Sequence, residues 1–369
     1  MHILITGGAG FIGSHLADHL IESGHRVTVL DPLCDQVHGP GQRRPPYLHP
    51  DVELLAGDVR DARAVARALD GVEAVYHFAA AVGVGQSMYE IEHYTSTNSL
   101  GTAVLLQALA RRPVERLIVA SSMSIYGEGR YAGPDGVVHD SVARAGDQLR
   151  AGRWEPEDAT GAPLRPLPTP ETKQPALTSV YALSKYDQER MCLMLGQAYD
   201  IPTIALRFFN VYGTRQALSN PYTGVLAIFA SRLLNDRAPL IFEDGLQRRD
   251  FVSVHDVVQA CALALEAPAA TGHAINVGSG ESHTVREVAR LLAALLGKDV
   301  QADICGKYRV GDIRHCFADI SEARRLLGYA PSVPLEDGLC ELAAWLREQT
   351  AQDRVAEASR ELAVRGLTV

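Results

Sequence analysis

The chain opens on HILIT, and short, almost wholly apolar runs recur as RVTVLD, VELLAGD, AVYHFA, RLIVASS and TIALRFF. Between them, HLADHLIESG, ARAVARALDG and a stretch from about Thr95 to Arg112 carry apolar residues at helical spacing. Strands covered on both faces read as continuous apolar runs rather than as alternation. Strand and helix in regular succession therefore predict an α/β fold, a doubly wound parallel sheet wrapped by helices. The pattern stops between Gly127 and Ser179, where Gly, Pro, Arg and acidic residues follow one another without a sustained period. An insertion or lid over about 128–175 is predicted there, because long irregular segments in compact domains commonly carry function.

A helix from about Val180 to Tyr199 and the strand TIALRFF complete the first unit, 1–210. Beyond it the elements shorten. Helices are predicted near Val225 to Asn235, Val254 to Glu266 and Val285 to Leu296, with LIFEDG and HAINVG between them and terminal helices from about Ser321. Residues 211–369 read mainly as a smaller mixed α/β lobe, with later segments returning to the first unit.

The turn after HILIT narrows the chemistry. Gly7, Gly10 and Gly13 in TGGAGFIGSH lie between a strand and a helix that begins near Phe11. Glycines there let the backbone approach a pyrophosphate, whose charge meets free N–H groups at the helix N-terminus. The second strand ends in Asp31, at the distance expected for an acid on the adenosine ribose. A carboxylate accepts from a diol and repels a 2′-phosphate, which favours NAD over NADP. Asp58 and Val59, ending the next strand, are placed to cover the adenine, although an Asp there is also an ordinary helix cap.

Bulk properties then remove other classes. A formal net charge of -9 over 369 residues leaves no basic surplus for a nucleic-acid backbone or an anionic membrane. No apolar run approaches a membrane span, and the immediate start in a strand predicts a cytoplasmic protein. The six cysteines form no Cys-x-x-Cys pair and no zinc spacing, so no metal is expected and most read as core fillers.

SVYALSKYDQERM places Tyr181 and Lys185 four residues apart, on one face of a helix. A phenol is a poor base at neutral pH, and a neighbouring ammonium and a positive nicotinamide ring both stabilise its phenolate. Tyr-x-x-x-Lys alone is common on solvent-facing helices. Its meaning comes from the phosphate loop and from the serines that end RLIVASS.

TGGAGFIGSH, GDVRD, HFAAAV, NSLGT, SSMSIYG, YALSK and RFFNVYG together resemble an extended short-chain dehydrogenase/reductase of the nucleotide-sugar epimerase/dehydratase family, over Met1 to about Tyr329. The resemblance implies a Rossmann-type NAD domain and a C-terminal lobe for a nucleotide sugar. It places Phe11 and Ile12 of the loop, Ala79 and Ala81 of HFAAAV, Asn98 of NSLGT, Ser121 and Phe209 beside the cofactor. Ser122 is implied to bind the reacting sugar hydroxyl, Tyr181 to act as acid and base, and Lys185 to bind the nicotinamide ribose and tune Tyr181. Tyr126 is read as a packing or sugar-lining side chain.

In the second lobe, Asn210, Arg249 and Arg309 resemble residues that meet the sugar diphosphate, which planar guanidiniums suit. Asp312 resembles the acid on the nucleotide ribose. Cys316 falls where the family borders the sugar, or is equally a packed thiol. A homodimer through the helices near 95–112 and 180–199 is also implied, though apolar stripes equally describe helices packed on their own sheet.

The reaction is read from two positions. In related 4,6-dehydratases an Asp-Glu pair follows the catalytic Ser or Thr, and here Met123 and Ser124 stand instead. Without those carboxyl groups the remaining simple outcome is return of hydride to the other face, a 4-epimerisation. Val82 in HFAAAV stands where many galactose-type epimerases place Lys. VHGPGQRRPPYL, the insertion and KYRVGDIRHCFADI instead resemble deoxysugar epimerases of the dTDP-L-rhamnose 4-epimerase type. A UDP-hexose or UDP-hexuronate 4-epimerase is the alternative, then a dehydratase, decarboxylase or reductase; a non-catalytic NAD-binding regulator is disfavoured because Tyr181 and Lys185 are both present.

Overall fold

A computed structural model describes residues 1–41 and 43–368, so Gln42 of VHGPGQRRPPYL and Val369 lie outside the described residues. Seven strands form one parallel sheet in the order Ala274–Val277, Thr203–Phe208, Arg116–Ser122, Ala74–His77, His2–Thr6, Arg26–Asp31 and Glu53–Ala56. Ile3, Leu4 and Ile5, like Val27, Val29 and Leu30, are buried whichever face they point to, because helices cover both sides. HAINVG supplies the seventh strand, so the chain returns to the sheet after leaving it.

Strand order reverses between His2–Thr6 and Ala74–His77, and a crevice at the carboxyl ends of such strands is where open α/β sheets bind ligands. Gly7, Phe78, Ser122 and Phe209 all follow or end strands at that edge. The helix Val180–Ala198 starts at Ser179, whose side chain accepts from Ala182 N at 3.1 Å. The predicted helix near 95–112 divides into a π-helical segment, Thr95–Leu100, and an α-helix, Gly101–Arg111.

The insertion is ordered. Its strands Arg130–Ala132, Val138–His139 and Arg165–Leu167 form a small antiparallel sheet, with a short helix at Gly146–Arg150. Elements of two to five residues leave no period to read, which is why the sequence there looks structureless. In the second lobe, Arg248–Arg249 pairs with His283–Thr284 and His315–Cys316. Helices Val225–Leu234, Val285–Leu295 and Leu335–Leu346 enclose a separate apolar cluster that includes Phe229, Leu292 and Leu339. Among the described residues no helix is long and apolar enough to cross a membrane. All six cysteines are free, but only Cys192, Cys261 and Cys316 are buried, so the core-filler reading holds for half of them rather than for most.

Candidate active site

Gly7 has φ +70°, and a Cβ there would lie 2.8 Å from Ala79 N, so only glycine fits. At Gly13 a Cβ would meet Gly8 Cα at 2.6 Å; its absence lets the helix Phe11–Glu22, which carries Ile12, close on the loop. Gly10 caps that helix without a side-chain hydrogen bond. The first-turn N–H groups therefore remain available to an anion. Asp31 lies buried beside the loop, its carboxylate accepting from Ala9 N at 3.1 Å and Leu33 N at 2.9 Å, with His38 Nε2 at 3.6 Å. Glycine cradle, helix end and acid together fit an adenine dinucleotide.

Asp58 is gripped by Arg60 at 2.7 Å; burial pushes its carboxyl up, but the Arg60 hydrogen bonds outweigh that and hold it below the usual range. It does not cap the next helix, a role taken by Asp61. Val59 is buried where a Cβ on Gly101 would strike it at 2.5 Å. Ala79 N donates to Thr6 Oγ1 at 3.2 Å. Fully buried Asn98 accepts from Ala81 N at 2.7 Å and donates to Ala81 O at 3.1 Å and Ser184 Oγ at 2.9 Å. It thereby ties the HFAAAV loop to the Tyr181 helix. Phe209 is buried against Tyr126, ring centroids 6.4 Å apart.

The structure brings Ser122, Tyr181 and Lys185 together across the insertion. Ser122 lies beside Tyr181, where its hydroxyl favours the phenolate, and Ser122 Oγ accepts from Ser124 N at 3.2 Å and Ser124 Oγ at 2.9 Å. Two donors on Ser122 Oγ leave its own proton for Tyr181 or a sugar oxygen. The sequence favours Ser122 alone because Ser124 lies two residues beyond it, yet that i+2 spacing lets Ser124 reach Ser122 as a local hydroxyl contact.

Burial raises the Tyr181 phenol, and the Ser122 hydroxyl opposes it only in part. Lys185 is buried and donates to Gln188 Oε1 at 2.6 Å; burial brings its ammonium down to about 8. The expected lowering of Tyr181 by Lys185 is thus absent, because the ammonium is engaged with Gln188 and desolvation dominates. Ser121 Oγ donates to Glu189 Oε2 at 2.7 Å, and Glu189 in turn pairs with Arg207 at 2.7 Å. Tyr126 OH donates to Asn276 Oδ1 at 2.7 Å in the core, which makes it a packing residue.

Of the residues expected to meet the substrate, Asn210 has its Oδ1 buried with no partner among the described residues. Such an atom needs a hydrogen bond from elsewhere. Arg249 Nη1 donates to the carbonyls of Arg248 and Arg314, both at 2.9 Å, and Nη2 to that of Ile313. Arg309 Nε donates to Asp312 Oδ2 at 2.8 Å, and its guanidinium carbon lies 4.7 Å from the Phe242 ring centroid. Thr178, just before the Tyr181 helix, donates to Gly311 O at 3.1 Å, which sets this loop beside the catalytic helix. Cys316 is 1% exposed, its thiol pushed up to about 12 by burial and donating to Thr169 Oγ1 at 3.8 Å. It is a packed thiol.

Behind these arginines the insertion meets the second lobe through a buried ion network. Arg144 reaches Glu128 at 2.9 Å and Glu243 at 2.7 Å; Arg314 reaches Glu243 at 2.9 Å, Asp244 at 2.6 Å and Glu155. Among the described residues no cluster of His, Cys, Asp or Glu could hold a metal ion.

Residues 3–143 and 158–278 match the NAD dependent epimerase/dehydratase family. The chain belongs to that family. Its cofactor is NAD, in agreement with the glycine cradle and Asp31. The gap at 144–157 falls inside the insertion. Among related chains, a dTDP-L-rhamnose 4-epimerase of Burkholderia thailandensis is 36% identical over 94% of this chain and 95% of its own. A putative UDP-glucose 4-epimerase of Methanocaldococcus jannaschii is 31% identical over 94% and 98%. Among solved structures, UDP-glucose 4-epimerase of Thermotoga maritima with UDP-glucose matches with TM-score 0.77 and 32% identity, over 94% of this chain and 99% of that one. UDP-glucuronic acid 4-epimerase of Bacillus cereus, in complex with UDP-glucuronic acid and NAD, matches with TM-score 0.75 and 28% identity over the same shares.

Proposed function

We propose that the protein is a cytoplasmic NAD-dependent nucleotide-sugar 4-epimerase whose substrate is a dTDP-6-deoxyhexose such as dTDP-L-rhamnose. The observation that carries the reaction is Ser122 beside Tyr181, with two buried residues without a carboxyl group, Met123 and Ser124, next in the chain. Ser124 orients the Ser122 hydroxyl, Ser122 holds the sugar C4 hydroxyl, and Tyr181 takes its proton and later returns it. Bound NAD would supply the acceptor for the C4 hydride and the donor for its return to the opposite face. Lys185 binds the nicotinamide ribose and supplies positive charge near Tyr181. With no acid or base beside Ser122, elimination of water across C5 and C6 lacks its proton carriers.

The deoxysugar choice is supported by the 36% identity to the Burkholderia enzyme and by Val82 in the cofactor loop. A UDP-hexose or UDP-hexuronate is the second reading, favoured by the solved relatives with UDP-sugars. Asn210, Arg249 and Arg309 meet the diphosphate and Asp312 the nucleotide ribose. Incubation with dTDP-L-rhamnose, UDP-glucose and UDP-glucuronic acid, with products resolved by NMR, tests the assignment. The expected result is conversion of the dTDP-sugar to its C4 epimer at a kcat/KM above either UDP-sugar. Faster turnover of a UDP-sugar overturns the substrate; a 4-keto-6-deoxy product overturns the reaction.

The functional unit is a homodimer through the helices at 95–111 and 180–198, where Leu100, Leu183 and Met194 are exposed by about half. A monomer by light scattering at working concentration contradicts this.

A further inference from the structure

We propose that the segment 355–368 is a strap that spans the mouth of the site and positions Arg309 for the nucleotide diphosphate. The idea rests on the assignment of Arg309 made above. Two loops face each other at this mouth. One, 82–90, follows HFAAAV in the cofactor unit; the other, 309–312, belongs to the second lobe. The strap is tied to both. On the cofactor side Leu362 lies where a Cβ on Gly85 would meet it at 3.3 Å, and the Arg365 guanidinium carbon sits 4.4 Å from the Tyr89 ring centroid. On the substrate side Arg309 and Thr368 form an antiparallel bridge, and Val310 N donates to Leu367 O at 3.0 Å. Its start is anchored elsewhere: Asp353 pairs with Arg237 at 2.9 Å and Arg232 at 3.7 Å, and Gln352 N donates to Ser219 Oγ at 3.0 Å.

The contact is close. Leu362 and Leu367 with Gly85, Met88, Val310 and Asp312 leave a space of about 10 Å³ between them, no more than one water. Arg309 itself has only Asp312 and the Phe242 ring as side-chain partners among the described residues, so its two Nη groups remain for a ligand. The backbone of residues 309 and 310 is therefore fixed by the strap, while the charged end of Arg309 is left free. The strap also bears on the catalytic end. Tyr89, beneath Arg365, donates to Tyr222 at 2.5 Å; the neighbouring Tyr94 packs edge-on to Tyr181 with centroids 6.4 Å apart.

Arg309 acts on substrate; Leu362 and Arg365 are positioning residues. Their signature is a loss of nucleotide affinity without a matching loss of chemistry. In the full chain, Leu362→Asp sets a carboxylate against Gly85 and lifts the strap, whereas Arg365→Ala removes an exposed contact and leaves the fold intact. Leu362→Asp is expected to raise KM for the sugar nucleotide, and Kd for dTDP or UDP by calorimetry, about tenfold, with kcat within about threefold and NAD retained. Arg365→Ala is expected to raise both constants about threefold. If Leu362→Asp does not fold, Arg365→Ala alone decides. Unchanged Kd in the folded variants, or a fall in kcat at constant KM, overturns the strap. Binding is measured apart from turnover: a chain that binds dTDP and shows these shifts but epimerises no sugar loses the assigned reaction and keeps the strap. A wild-type chain that binds neither diphosphate overturns both.

Discussion

The surroundings of Lys185 and His77 and the seam between the insertion and the second lobe hold their charged groups in different ways. In the first unit, Lys185 is buried with a neutral amide, Gln188, and His77 is brought down to about 3 by burial while its ring bonds Thr6 and Thr102 at 2.8 Å. At the insertion, Arg144 and Arg314 are instead matched by Glu128, Glu155, Glu243 and Asp244. The hydrogen-bond partners of Lys185 and His77 among the described residues are neutral, and in such surroundings a nearby charge shifts a titratable group strongly. Groups that only hold two lobes in register are fully paired. Removing one partner there leaves an uncompensated buried charge.

Substitutions separate the two regions. Tyr181→Phe should lower kcat by about a thousandfold while NAD stays bound and thermal unfolding is unchanged, since general acid–base groups contribute on that scale. Arg314→Met should do the reverse: destabilise by about 3–5 kcal/mol in denaturant titration, because Glu243, Asp244 and Glu155 lose their shared cation. Equal effects of both variants on stability would erase the contrast. Ser124→Ala sharpens it within the active site. Losing one neutral hydrogen bond to Ser122 should cost about 1 kcal/mol of transition-state stabilisation, about a fivefold fall in kcat/KM.

Acid acts on the paired region through Glu155. Burial pushes its carboxyl up, but hydrogen bonds from His315 and Arg314 outweigh this and bring it from 4.5 down to about 2. Its folded pKa is therefore depressed, so its contribution to stability is present above about pH 4.5 and lost as pH falls towards 2. Hydrogen exchange should show the insertion loosening from the second lobe across that window, with less loosening in Glu155→Gln. Identical acid profiles for the two proteins would remove Glu155 from this role.

The same contrast explains what could be read in the chain. The glycine turn, Asp31, the Tyr181–Lys185 pair and the sheet strands depend on residues near one another in sequence, and their spacing carries them. The missing carboxyl groups after Ser122 were legible for the same reason. Arg314 meets Glu128 across 186 residues, and Ser121 meets Glu189 across 68; no local spacing encodes either. Arg249 illustrates the limit. Its charge is evident in RRDFV, but the three backbone carbonyls that orient its Nη groups are not. Cys316 likewise gave no sign that Thr169, from the insertion, would lie against it.

The central claim is that hydride leaves C4 and returns to the same carbon. Incubating the enzyme and dTDP-L-rhamnose labelled with deuterium at C4 in ordinary water, and following the product by NMR, measures this directly. The account predicts the C4 epimer with deuterium retained at C4 and no accumulation of NADH. Loss of the label to solvent, or steady NADH release with a ketosugar product, would contradict it.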